Sequence, residues 1–253
     1  MDARASGSDP AVPPAGARPI TPYLDALGAV LVRARTANAS SLAAAARVIE
    51  TTVTRDGIVY VFGSGHSQLV ALELNRRAGG LAPVQVIFDP TWGAAERLEG
   101  YAETLVAGLT PSGADCLVVI SHSGVTAVPV AMARWGRSNA LPVIAVTSIV
   151  ASPAATTGSP SGRHLCEVAD VVLDNGAIGA DASVHVPGFD IGLGPTSTVI
   201  AEALLHEVVV GAIAALVARG LEAPVLRPNA ERDGRAHNAL VLDRYRSRLQ
   251  RVP

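Results

Sequence analysis

Five short runs dominated by Val and Ile constrain this chain more than anything else in it: "IVYVF" at 58–62, "VQVIF" at 84–88, "CLVVI" at 116–120, "PVIAV" at 142–146 and "DVVLD" at 170–174. A strand with one face in water alternates apolar and polar residues, whereas a strand covered on both faces stays apolar throughout. The segments between the runs read mostly as helix or loop, so the pattern predicts a five-stranded parallel sheet in a three-layer α/β/α sandwich. With 253 residues and 49% hydrophobic content, the chain has ample material for that core.

Helical spacing of Leu24, Leu27 and Leu31, then of Leu42, Ala46, Ile49 and Val53, predicts a long helix or helical hairpin over 22–55, stopped by Asp56-Gly57. Further helices are expected over 67–78, 94–106, 125–138 and 198–219, with Pro129 tolerable only in a first turn. The last of them is apolar all round except for Glu202, His206 and Glu207, which predicts burial between layers or against another subunit. Residues 1–21, rich in Pro, Ala, Gly and Ser, read as a disordered leader without the apolar stretch of a secretory signal. The main domain is expected over 22–219, followed by a polar tail at 220–253 with a short basic helix near 240–249. The small-residue loop at 147–162 is long enough to move over a site.

A net charge of -2 gives no reason to expect nucleic acid or an anionic membrane as partner. The longest late apolar run, 208–218, is too short to span a bilayer, and the expected location is cytoplasmic. Cys116 and Cys166 form no CxxC and read as reduced core thiols. All 20 basic residues are arginine, which excludes Schiff-base chemistry by an internal amine and a Walker-type phosphate lysine.

Two strand ends carry the same chemistry. The first run enters Gly63, Ser64, Gly65, His66 and Ser67, and the third enters Ser121, His122, Ser123, Gly124, Val125 and Thr126, each just before a helix. In an open parallel sheet ligands sit outside the carboxyl ends of the strands, so both knots fall on the ligand edge. A helix amino terminus supplies unpaired amides and partial positive charge, so it can hold an anion without lysine. Ser121, Ser123 and Thr126 have the spacing to surround one phosphate; the alternative is that Ser123 or Thr126 simply caps the helix.

Three other readings fit less well. Gly63-Ser64-Gly65 with Asp89 suggests a dinucleotide site, but Gln68 stands where the third glycine belongs and the second knot is left without a use. "GHSQL" approaches a nucleophile elbow around Ser67, with Leu69 in place of its second glycine. Six histidines make no HxH or HExxH, so no metal site is expected from spacing.

"GSGHS" after the first strand and "SHSG" followed by Thr126 resemble the SIS (sugar isomerase) domain, and "ERLEGYAE", "GPTSTVI" and the tail's "HN" and "YRSRL" resemble its branch of phosphosugar and phosphoheptose isomerase-like proteins. The resemblance covers about 22–219 and implies a flavodoxin-like five-stranded sheet that binds a phosphorylated sugar. It implies that Ser121, Ser123 and Thr126 grip phosphate and that Ser67 holds phosphate or a sugar hydroxyl, with Ser64 and His122 in the same knots. Aldose–ketose isomerisation needs a base next to the carbonyl and an acid for the enediol, and no cofactor. Glu73 is the first candidate base, with a salt bridge to Arg76 or Arg77 as its alternative role. Glu202 and His206 share a helix face as a second acid–base pair, and His66 is placed to polarise a carbonyl or open a sugar ring. His237 and Asn238 are expected to close over the site from the same or a neighbouring subunit of a homodimer or homotetramer. The family's muramate-phosphate etherases leave a sugar-phosphate lyase as the alternative, and a non-catalytic sugar-phosphate regulator as another, although residues 1–21 read as too short and too Pro-rich for the helix-turn-helix such regulators usually carry.

Overall fold

The computed structural model describes residues 22–150, 156–177 and 181–250; the leader at 1–21 and part of the 147–162 loop lie outside the described residues. The elements run α1 (Pro22–Ala37), α2 (Ala39–Thr54), β1 (Val59–Gly63), α3 (Ser67–Glu73), β2 (Val84–Ile87), α4 (Tyr101–Val106), β3 (Cys116–Ile120), α5 (Ala127–Ser138), β4 (Val143–Thr147), α6 (Leu165–Val168), β5 (Val171–Asp174), α7 (Ser197–Ala218) and α8 (Gly234–Asp243). All five apolar runs are strands, joined in one parallel sheet of order β2-β1-β3-β4-β5. The winding reverses between β1 and β3, which places the ligand crevice of an open sheet above those two strands. Their register sets Gly63 opposite Ile120, so the two polar knots leave the sheet side by side.

Alternation within the buried strands sorts the core into two layers. Val59, Val61, Cys116, Val118, Ile120, Ile144 and Val146 pack with α1, α2, α3 and α7. Tyr60, Phe62, Leu117, Val119, Val143 and Ala145 pack with α4, α5, α6 and the tail around α8. Each fully buried Val, Leu or Ile contributes roughly 1.5–3 kcal/mol, which is why both faces must be covered. The α7 helix is apolar and long enough to cross a bilayer, unlike the shorter 208–218 run read from sequence. Its Ile200, Leu204, Leu205, Val208, Val209 and Leu216 are instead buried in the first layer.

Several helices differ from expectation for local reasons. The 22–55 stretch is two helices that meet at Asn38, where i to i−4 bonds still run from Asn38 to Ala34 and from Leu42 to Asn38. Asn38 is buried there and clamps the end of β5, its side chain donating to the Asp174 carbonyl at 2.8 Å and accepting the Asp174 amide at 2.7 Å. The α3 helix stops at Glu73 instead of 78, because residues 79–82 turn away to pair with 224–226. The segment at 91–99 forms turns and α4 begins only at Tyr101, with Gly93 and Gly100 at φ 89° and 78°. The tail helix begins at 234 instead of near 240, and Tyr245 just beyond it is buried.

The tail straps the amino edge of the sheet. Arg244 pairs with Asp56, Arg248 with Asp115 at 2.5 Å, and the Gln250 amide donates to Gln85 at 2.6 Å. His237 bonds the Val225 carbonyl at 2.9 Å, and Asn238 accepts the Arg227 amide and donates to its carbonyl, both at 2.8 Å. Within their own chain His237 and Asn238 thus fasten a loop that pairs with residues ahead of β2, at the end of the sheet away from the knots.

Candidate functional site

The β3–α5 turn is the open end of the molecule's hydrogen-bonding network. The backbone amides of Ser123, Val125, Thr126 and Ala127 make no hydrogen bond among the described residues. Gly124, at φ 62°, lets the chain turn, and its amide donates to Ser121 Oγ at 3.2 Å. Thr126 occupies the N-cap position of α5 without capping it: its Oγ1 is buried and has no partner. A cap would accept the amide of the second or third helical residue, but the Val128 amide donates to the Glu96 carbonyl at 3.0 Å and Pro129 has no amide proton, so the hydroxyl finds no helix donor. The Ser123 hydroxyl is likewise unpartnered among the described residues. Unpaired amides, a helix dipole and free hydroxyls in one turn make an anion seat.

The other helix starts on this edge are partly taken. At α3, the amides of Ser67, Gln68 and Leu69 bond the carbonyls of Ser64, Gly65 and His66. At α7, the Asp181 carboxylate accepts the amides of Thr196 and Ser197 at 2.9 and 3.0 Å and the Ser197 hydroxyl at 2.5 Å. An incoming anion therefore finds the largest group of free amides at the β3–α5 turn, with those of Gly65, His66 and Thr198 also unbonded among the described residues.

The β1–α3 knot serves partly as scaffold. Gly63 is obligatory, since a Cβ there would lie 2.3 Å from the Ser67 carbonyl oxygen. Ser64 donates to Asp89 at 2.7 Å, and Asp89 also accepts Thr91, Gly93 and Tyr101 while its own amide donates to Gln68. Burial alone pushes the Asp89 carboxyl up, but bonds from Thr91, Ser64 and Gly93 outweigh it and hold it below the ordinary range. Ser64 and Asp89 thus order the loop after β2, and the Ser64 proton is committed to that task. His66 is exposed at the turn. Ser67 keeps a free hydroxyl and lines a cleft with His122, Asn175, Ser197 and Thr198 over the apolar floor of Val70, Ile120 and Ala201. At about 10 Å³ the enclosed space is far below the roughly 300–1,000 Å³ of enclosing ligand pockets, so the cleft is a narrow polar notch at the mouth.

From this cleft the seam between α3 and α7 leads to the acid–base candidates. Glu73 Oε1 lies 2.5 Å from Arg77 Nη1 and 3.8 Å from His206 Nε2. Glu202 joins them: desolvation first, then the charge of Glu73, pushes its carboxyl above the ordinary range against the pull of His206 and Arg77. Glu73 sits about 9 Å along α3 from Ser67, six residues at ~1.5 Å each. The structure thus brings Glu73, Glu202 and His206 together and places Ser67, Ser121, His122, Ser123 and Thr126 around one mouth. His237 and Asn238 stand apart. Among the described residues no group of three His, Cys, Asp or Glu is placed to hold a metal ion. Sequence reading missed Asn175, Thr198 and Asp181; Asn175, directly after β5, was open to the same strand-end argument that found the two knots.

The site and the 2-1-3-4-5 sheet define an α/β phosphosugar isomerase-like architecture. The chain belongs to the SIS domain family, whose profile matches residues 22–148. It is 34% identical to a UPF0309 protein of Streptomyces griseus, over 90% of this chain and 95% of that one, and 38% identical to a UPF0309 protein of Brucella anthropi, over 89% and 96%. The phosphoheptose isomerase of Neisseria gonorrhoeae has the same fold at a TM-score of 0.53 and 17% identity, over 76% of this chain and 97% of that one.

Proposed function

We propose that the protein binds a phosphorylated sugar and interconverts its aldose and ketose forms. The observation that carries the reading is the buried, unpartnered Thr126 hydroxyl beside four unpaired amides, a seat complementary to phosphate in a chain without lysine. The phosphate rests on that turn, Ser67 and the cleft hold the proximal hydroxyls, and the carbonyl end lies along the α3–α7 seam. There Glu202, whose desolvated carboxyl is the better proton acceptor, takes the proton beside the carbonyl and returns it to the neighbouring carbon. Glu73, ion-paired with Arg77, holds His206, which gives a proton to the developing enediolate oxygen and takes back the one released by the neighbouring hydroxyl as that becomes the new carbonyl. The sugar-phosphate isomerase named among the fold relatives supports the substrate class.

The test is incubation with hexose, pentose and heptose phosphates in deuterated water, followed by NMR. Deuterium incorporation beside the carbonyl with interconversion is the expected result. Loss of a leaving group instead establishes the lyase, and saturable binding with no exchange for any sugar establishes a regulator.

A further inference from the structure

The proposed site leaves one polar atom unexplained. His122 Nε2 is buried with no hydrogen-bond partner. Its other ring nitrogen, Nδ1, lies 3.3 Å from Asn175 Nδ2. The orientation of the Asn175 amide is fixed independently, because its Oδ1 accepts the Ala177 amide at 3.1 Å. Asn175 is buried, and its own amide bonds the Thr147 carbonyl at 3.0 Å. Only the NH2 group of Asn175 can therefore face the imidazole, so Nδ1 accepts and the ring proton resides on Nε2. A buried N–H donor without a partner is costly to leave unmade, and this one lines the cleft next to Ser67 and Thr198. The His122 backbone cannot swing away, since its carbonyl accepts both the Ser148 amide at 3.0 Å and the Thr147 hydroxyl at 3.2 Å.

We propose that Asn175 is a positioning residue that locks His122 with its proton on Nε2, as a hydrogen-bond donor to a sugar oxygen in the cleft. This rests on the sugar-phosphate reading and adds a role to it: His122 is an electrophilic donor of the kind a neutral imidazole supplies, and proton abstraction is left to the seam. Its ligand is the hydroxyl or carbonyl oxygen between the phosphate and the acid–base groups. Asn175 exerts its effect through His122 without touching the sugar.

The experiment is long-range nitrogen–proton NMR of the histidine rings in the full-length protein at slightly alkaline pH, with His122 assigned by the signal lost in His122→Gln. Free wild type should show the Nε2–H tautomer. Asn175→Asp keeps an acceptor for Ala177 but replaces the donor facing His122, and should move the proton to Nδ1; Asn175→Ala should yield a tautomer mixture. A His122 ring carrying its proton on Nδ1 in wild type, or an unchanged ring pattern in both variants, overturns the lock. Fructose 6-phosphate should shift the Nε2–H signal, and Asn175→Asp should weaken its binding about tenfold while binding of inorganic phosphate is unchanged. If fructose 6-phosphate shifts the Ser123–Ala127 amides but not Nε2–H, the donor role is overturned. If neither probe shifts those amides, the sugar-phosphate reading fails, and the tautomer lock is still decided by the free-protein spectra.

Discussion

Thr126 occupies a position where most threonines would bond the helix they begin, and here it does not. A buried hydroxyl with no partner opposes folding, so its removal separates binding from stability. Thr126→Val should raise stability by up to about 1 kcal/mol in urea unfolding while weakening phosphate and sugar-phosphate binding about tenfold by calorimetry. Glu202 poses the same opposition through charge. Its folded carboxyl titrates above the ordinary range, so the native state holds more protons than the unfolded chain and stability falls as pH rises through the interval between the two values. Glu202→Gln should therefore unfold at a higher temperature than wild type at neutral pH, the difference disappearing below the unfolded carboxylate range, while deuterium exchange into substrate is lost. Cys116 behaves differently: desolvation first, with a smaller push from Asp115, raises its thiol to about 12, so thiol reagents should leave it unmodified until the protein unfolds.

Elements were legible where their sequence answered to one local rule. The five strands announced themselves because burial on both faces admits only apolar residues, and the helix starts at Ser67 and Ala127 followed glycine-rich turns. What failed was set by distant partners. Nothing around Glu73 shows that the next residues will leave α3 to pair with 224–226, and nothing around "AERLEGYAE" shows that Asp89 will hold that segment in turns. The helix junction at Asn38 is of the same kind, since the partner of its side chain lies 136 residues away at Asp174. Asn38→Ala should cost roughly 1–3 kcal/mol in urea unfolding, because it removes both bonds to the half-buried backbone of Asp174. The seat at α5 was readable from hydroxyl spacing, whereas the tie from Asn175 to His122 required the fold to bring the exits of β3 and β5 together across the end of β4.

At the scale of the molecule, the sheet separates two tasks: its carboxyl edge carries the mouth, and its amino edge carries the strap of Arg244, Arg248 and Gln250. The seam that leads from the mouth is open, with the His206 side chain 41% exposed, and water there would quench an enediolate. Around it α7 and α1 expose Val199, Val210, Val217, Leu24, Leu31 and Val32. A second copy of the chain is the expected cover. Sedimentation should give a dimer or larger, and Val210→Asp should return monomers with lower turnover and an unchanged fold.

The anion seat is built mainly of backbone amides, and that has a lineage-level consequence. Exchanging side chains along this turn can weaken the seat but cannot erase the donors that every amino acid except proline carries, so under the proposed function mutational drift could alter the preferred carbohydrate while part of the hold on phosphate is retained.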